Sequence, residues 1–150
     1  MKIIFKLFFV IFISISLMSC ENESDPQAVY ADYLVSIQAM NSMLETDYQS
    51  FISARAKAVV SDKISAVDES QLNSFLTFFK AEAVLPENSQ INLNNAKQNA
   101  PILEIVAENY PEKGSKHEQY VSFVRENGWK IDKIEVITSG EDFEFKSTTY

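Results

Sequence analysis

The 150-residue sequence is poor in the residue types on which most recognisable sites depend. It has one cysteine, one histidine and three glycines. A single cysteine excludes an intramolecular disulfide framework. One histidine and one cysteine cannot supply the usual three or four ligands of a zinc site. Three glycines form neither a Gly-rich phosphate loop nor a nucleophile elbow. The sequence therefore offers no motif of a metal, phosphate-binding or triad enzyme.

Basic residues are scarce relative to acidic ones. The chain has 13 Lys and Arg against 21 Asp and Glu, a formal charge of −8. Phosphate affinity depends on clustered Lys and Arg, so no nucleic-acid partner is expected. With 46% apolar and 23% charged residues, the composition is that of one small globular domain. It excludes a collagen-like repeat, a multi-domain enzyme and a disordered acidic tail. No cofactor is expected.

The clearest pattern is at the N-terminus. Lys2 and Lys6 lead into a mostly apolar stretch, Leu7 to Met18. A short positive region before about a dozen apolar residues is typical of a secretory signal, and it is short for a permanent membrane span. We therefore predict a signal peptide over residues 1–19 and export of the chain.

The end of this segment, Leu17-Met18-Ser19-Cys20, resembles the lipobox of bacterial lipoproteins. The resemblance implies that Cys20 carries a diacylglycerol and becomes the acylated N-terminus, with fatty acids such as palmitate as the membrane anchor. Because Cys20 is the only cysteine, it has no intramolecular disulfide partner, which agrees with this role. The alternatives are a conventional signal peptide with a cysteine at its cleavage site and an uncleaved membrane anchor.

The mature protein is expected to stay in the cell envelope. Maturation removes two lysines and no acidic residue, so the mature charge is −10. Anionic lipid headgroups repel an acidic protein domain. Attachment to the membrane therefore depends on acyl chains, and two chains are enough for stable anchoring. In Gram-negative lipoproteins an aspartate after the cysteine favours the inner membrane. Glu21 stands there instead and weakly favours the outer membrane, facing the periplasm. Residues 20–26 form the lipidated N-terminus and a short tether.

Helical spacing and capping signals predict helices in the first part of the mature chain. Asp25-Pro26 has the order of an N-cap and a first helical residue. Thr46 with Gln49, and Asp68 with Gln71, have capping-box spacing and predict a second and a third helix. A single bent helix in place of the first two is the alternative, because no Gly or Pro separates them. The apolar stripes contain Tyr30, Tyr33, Leu34, Ile37, Met40 and Leu44, then Tyr48, Phe51, Ile52 and Val59, then Leu72, Phe75, Leu76, Phe79 and Ala83.

After Pro86, apolar residues recur with period two, which predicts strands. Strands are expected at 90–94, 102–110, 120–126 and 129–137, the first of them weak or at an edge because it is Asn-rich. The tail, 138–150, adds a possible short edge strand, although its composition suggests fraying. The prediction is an α+β domain at 27–137 in which N-terminal helices pack on an antiparallel sheet of three or four strands.

Asn127-Gly128 predicts a tight hairpin turn, because both residues accept positive φ. The register that follows gives the pairs Glu126–Trp129, Val124–Ile131, Ser122–Lys133 and Tyr120–Glu135 on one face, and Phe123–Asp132, Val121–Ile134 and Gln119–Val136 on the other. Both faces would carry apolar groups. The face that the helices leave uncovered would then need a pocket, a chain segment or a partner.

The hairpin Val124-Arg125-Glu126-Asn127-Gly128-Trp129-Lys130-Ile131-Asp132, preceded by helices, resembles the nuclear-transport-factor-two-like superfamily, a cystatin-like α+β fold that includes ketosteroid isomerases. The resemblance implies a curved, cone-like sheet wrapped around a helix, with an apolar pocket or a dimer contact at its mouth. No position matches the catalytic residues of the enzymatic members, so no catalytic residue is assigned.

We expect a non-catalytic protein-interaction module, such as an accessory subunit, an inhibitor or an immunity-type factor, with a protein partner or a second copy of itself. The candidate interface residues are Tyr120, Val124, Trp129 and Ile131. The alternative is a protein that binds a small apolar ligand in a cone pocket. The candidate pocket residues are Phe75, Phe79, Val121, Phe123 and Ile134.

Two single residues carry further expectations. His117 is expected in an exposed hairpin loop, because turn residues precede it. Asp132 is expected to pair with Lys130 or Arg125. A role as a pocket acid is the alternative, because a carboxyl on a partly apolar face can have a raised pKa.

Overall fold

The computed structural model describes residues 25–95 and 100–150 and confirms the α+β class. Three α-helices precede a five-stranded antiparallel sheet whose strand order follows the chain. The elements are α1 (Pro26–Ala39), a short 3-10 helix (Asp47–Ser50), α2 (Ala54–Ser65), α3 (Glu69–Glu82), β1 (Gln90–Asn94), β2 (Ile102–Glu108), β3 (Lys116–Arg125), β4 (Trp129–Ser139) and β5 (Glu144–Thr148). The expected count of three or four strands is wrong, because both weak outer segments extend the sheet.

The first helix begins at Pro26, as predicted, although Asp25 makes no side-chain cap bond. Its stripe is buried from Val29 to Ile37. Leu44 does not continue that stripe, because the helix ends at Ala39, and the Leu44 side chain is 67% exposed.

The second helix begins later than predicted. Thr46 makes no side-chain cap bond, and a 3-10 turn follows it. Ser53 is the N-cap of α2, since its side chain accepts a hydrogen bond from the Ala56 amide. The intervening chain is extended because it pairs with β4: Ile131 N donates to Phe51 O over 2.9 Å, and Ser53 N donates to Ile131 O over 2.8 Å. The first two helices are therefore separate.

The third helix confirms its capping signal. The Asp68 carboxylate accepts from the Gln71 amide, and the Gln71 side chain accepts from the Asp68 amide. The helix ends at Glu82, before Pro86. Phe79 is its buried residue, and Phe75 packs, partly buried, against the core.

A β-bulge changes the predicted register of the β3–β4 hairpin. Beyond the bulge the pairs are as predicted, with Val121 opposite Ile134 and Ser122 opposite Lys133. On the turn side Phe123 lies opposite Ile131, not Asp132. Because strand side chains alternate between faces, one extra residue in β4 moves Ile131 and Trp129 to the face opposite the predicted one, whereas the residues of β3 keep their faces.

The core lies between one face of the sheet and the helices, and the C-terminal residues belong to it. β2 contributes the alternating buried residues Leu103, Ile105 and Ala107. The tail does not fray: β5 pairs with β4, and Tyr150 is only 4% exposed. The core therefore extends beyond the predicted limit at residue 137.

Candidate functional site

The five predicted pocket residues form part of the hydrophobic core. Phe79, Val121, Phe123 and Ile134 are buried, and Phe75 packs against them. The cavity beside Phe79 and Ile134 has a volume of about 10 Å³, which is room for about one water molecule. In the described part of the chain, these five side chains therefore act as core.

A buried polar cluster lines this small cavity. The Tyr33 and Tyr150 hydroxyls are 2.6 Å apart, and Gln119 Nε2 donates to the Tyr30 hydroxyl over 2.7 Å. Burial raises the pKa of all three tyrosines above the ordinary value. These phenols therefore stay neutral over the physiological pH range, and the cluster is suited to hydrogen bonding rather than proton transfer.

The four predicted interface residues are divided by the bulge. Ile131 is fully buried beside Phe123, and Trp129 packs against the core. The Arg125 guanidinium lies 5.1 Å from the centre of the Trp129 ring. Only Tyr120 and Val124 remain on the face of the sheet opposite the core, where both are partly exposed. The four residues therefore lie on two different faces of the sheet.

On the face of the sheet opposite the core, charged side chains pair with one another. Lys116 Nζ is 2.8 Å from Glu118, which also accepts from the Tyr120 hydroxyl over 3.1 Å. Glu135 lies 2.9 Å from Lys133 and 3.6 Å from Lys146. These hydrogen bonds lower the pKa of the Glu118 and Glu135 carboxyls. This pattern is typical of a solvated sheet face.

Asp132 and His117 lie elsewhere than predicted. Asp132 pairs with the start of α2, not with Lys130 or Arg125: it accepts from Ser53 Oγ over 2.6 Å and from Arg55 Nε over 3.0 Å. His117 is in β3, half-buried, with Nδ1 3.2 Å from Thr138 Oγ1. Burial lowers the pKa of the imidazole. Asp132 thus contacts the start of α2, and His117 contacts β4.

An apolar groove lies between α1 and the edge strand β1; we call it the α1–β1 groove. Its volume is about 240 Å³, and its walls include Ala31, Leu34, Leu85, Ile91 and Leu103. Ile91 is 44% exposed, and Val35, next to Leu34, is 71% exposed. Because the lining includes Ile91 of β1 and Leu103 of β2, the groove lies on the core side of these two strands, beside α1.

The two edges of the sheet differ in how they resist pairing with another strand. Proteins usually protect an edge with charged residues or proline. The β5 edge carries Glu144 and Lys146, whereas β1 reads Gln-Ile-Asn-Leu-Asn and has neither charge nor proline. We did not predict this site from the sequence. The available signal was an alternating, uncharged segment, whose position at an edge depends on the strand order.

No structural finding bears on the N-terminal predictions, because Cys20, the tether to residue 24 and the signal peptide lie outside the described residues. Within residues 25–95 and 100–150, no helix is long and apolar enough to cross a membrane. In the same ranges, no three His, Cys, Asp or Glu side chains are grouped as metal ligands. No family model, curated protein or solved structure shows a significant match to the chain.

Proposed function

We propose that this chain is an exported lipoprotein of the bacterial envelope whose domain binds a protein partner, either a different protein or a second copy of itself, at the α1–β1 groove. Acyl chains on Cys20 hold it at the membrane, and Glu21 favours the outer membrane facing the periplasm. Helix α1 begins at Pro26, six residues after Cys20. Six extended residues reach only about 20 Å, so the domain stays near the bilayer surface.

The observation that carries the proposal is the uncharged edge strand β1, which in residues 25–95 and 100–150 pairs with β2 alone and adjoins an apolar groove. Adding a strand to such an edge gives main-chain hydrogen bonds, while side chains of alternate residues enter the adjacent groove. Ile91, Leu34 and Ala31 offer apolar contacts for those side chains. The role is therefore that of a non-catalytic interaction module, such as an accessory subunit, an inhibitor or an immunity-type factor.

The alternative, a cone pocket for a small apolar ligand, has less support. Its candidate residues are packed in the core, and the cavity beside Phe79 and Ile134 holds about 10 Å³. The cone-like curvature implied by the resemblance to the nuclear-transport-factor-two-like superfamily stays a prediction.

Lipidation has a direct test. Metabolic labelling with a palmitate analogue should label the wild-type protein, and Cys20→Ala should abolish the label, because Cys20 is the only cysteine. Labelling that persists in the variant would refute the lipobox prediction.

The interaction is tested by native mass spectrometry of the protein extracted gently from its own envelope. We expect a discrete additional polypeptide mass that Ile91→Asp removes, because a buried carboxylate without a partner disfavours pairing. Phe145→Asp is the matched control, since Phe145 is also an exposed apolar residue on an edge strand (55% exposed, against 44% for Ile91). A reproducible small-molecule mass in place of a polypeptide would favour the ligand-binding alternative.

A further inference from the structure

We infer that the partner at the β1 edge is a second copy of this chain, paired antiparallel with β1 and centred on Asn92. The inference rests on the proposed function, because it names the partner of the same edge. In the described ranges, β1 has a strand on one side only, β2. The other side adjoins the α1–β1 groove.

The chemistry of β1 is symmetric about its central residue. In an antiparallel pair centred on Asn92, Ile91 lies opposite Leu93 of the second copy, and Asn92 lies opposite its own equivalent. Ile91 and Leu93 pair with Ile105 and Leu103 of β2, so they lie on the core face of the sheet. Every apolar residue of β1 therefore meets an apolar residue, and every amide meets an amide, as a two-fold interface requires.

The charge distribution along β1 does not oppose a second copy at this edge. Like charges directly opposite each other destabilise a strand pair, and each mature chain carries −10. β1 is an uncharged segment of five residues. Pairing there brings no like charges into register. The same pairing at β5 would place Lys146, the central residue, opposite Lys146 of the second copy.

The geometry suits attachment to a single membrane. The two-fold axis of an antiparallel pair within one continuous sheet is perpendicular to the sheet. Both α1 helices then lie on the same face of the ten-stranded sheet, and so do both copies of Asp25, after which α1 begins. Leu34 lines the α1–β1 groove together with Ile91, on the side of β1 where the second copy is placed.

Thiol cross-linking in the native envelope tests this register. Paired Cα atoms in antiparallel strands are about 4.5–5.5 Å apart, within the range that a disulfide spans. Asn92→Cys should therefore yield a cross-linked dimer under mild oxidation. Gln90→Cys is the register control, because its equivalent lies about 13 Å away, four residues along the partner strand. Lys146→Cys, at the centre of the exposed edge strand β5, is the edge control.

We expect at least about tenfold more dimer from Asn92→Cys than from either control, because the controls cannot meet disulfide geometry. Equal cross-linking of all three variants would indicate random collision in the membrane and overturn the inference. Absence of cross-linking in a folded Asn92→Cys protein would also overturn it.

The proposed function is judged separately. If Asn92→Cys gives no dimer but Ile91→Asp still removes a different polypeptide from the native mass spectrum, the groove binds another protein and only the second copy is refuted. The unmodified chain is the lipidation control: it should give no dimer, because the Cys20 sulfur is blocked by its thioether to diacylglycerol. A dimer of the unmodified chain would show a free thiol at Cys20 and contradict the lipoprotein proposal itself.

Discussion

His117 is the only histidine of the chain, and its surroundings favour the neutral imidazole. The ring is half-buried, and it contacts the Tyr110 ring edge-on with centroids 5.5 Å apart. Burial lowers the pKa of His117, and the smaller effect of the Glu82 charge acts in the opposite direction. The folded protein therefore binds a proton at this site less readily than the unfolded chain.

This pKa shift predicts a loss of stability in mild acid. A histidine whose pKa is lower in the folded state does not change the free energy of unfolding well above its unfolded pKa, about 6.5. As the pH falls through that value, the unfolded chain binds the proton more readily than the folded protein, so the fold is progressively destabilised. We expect the free energy of unfolding in urea to fall between pH 7.5 and pH 5.5. In His117→Gln this fall should be smaller. The Glu118 and Glu135 carboxyls have lowered pKa values and do not titrate in this window. Identical profiles for the two proteins would contradict the burial argument.

At the scale of the secondary-structure elements, the start of α2 depends on Ser53. The hydroxyl accepts from the Ala56 amide over 3.0 Å and donates to Asp132 over 2.6 Å. The Ser53 hydroxyl thereby caps α2 and connects the start of this helix to the bulge in β4. Thr46 has the residue type and spacing of a cap but makes no such bond.

These two hydroxyl residues give a matched pair of variants. Ser53→Ala should lower the free energy of unfolding by about 1–2 kcal/mol, because it removes an N-cap and a hydrogen bond to a charged group. Thr46→Ala should change it by less than about 0.5 kcal/mol. Chemical denaturation at neutral pH measures both. A larger loss for Thr46→Ala than for Ser53→Ala would mean that the second helix begins where the sequence pattern predicts.

At the scale of the whole molecule, Thr149 and Tyr150 connect the helices to the sheet. The Tyr150 ring lies between the rings of Tyr33 in α1 and Phe79 in α3, with centroid distances of 6.4 and 6.2 Å. Thr149 N donates to Ile134 O in β4 over 2.9 Å. Lys63 in α2 donates to Thr149 O over 2.7 Å. The segment thus connects all three helices to the sheet.

Removing the Tyr150 side chain should therefore lower the free energy of unfolding. We expect Tyr150→Ala to lower the free energy of unfolding by about 3–5 kcal/mol, as for other large aromatic residues in cores. Tyr150→Phe should cost about 1–2 kcal/mol, because it leaves the buried Tyr33 hydroxyl without its partner. Phe145→Ala, at an exposed position in β5, should cost less than about 0.5 kcal/mol. Equal effects of Tyr150→Ala and Phe145→Ala would show that the C-terminal residues do not belong to the core.

The sequence by itself determined the features that depend on neighbouring residues. The start of α1 at Pro26, the capping box at Asp68 and the alternation of β2 follow from local dihedral preferences and side-chain spacing. The N-terminal signal is local as well, although the described residues do not reach it.

Only the tertiary structure decided the features that depend on contacts between distant segments. Ser53 and Arg55 bind Asp132 across more than 75 positions, and the bulge at that point reverses the faces of Trp129 and Ile131. An alternation pattern cannot reveal this, because the extra residue is stabilised by another element. The α1–β1 groove could not be predicted for the same reason, because the packing of the whole chain decides which strand lies at an edge and which helix lies beside it.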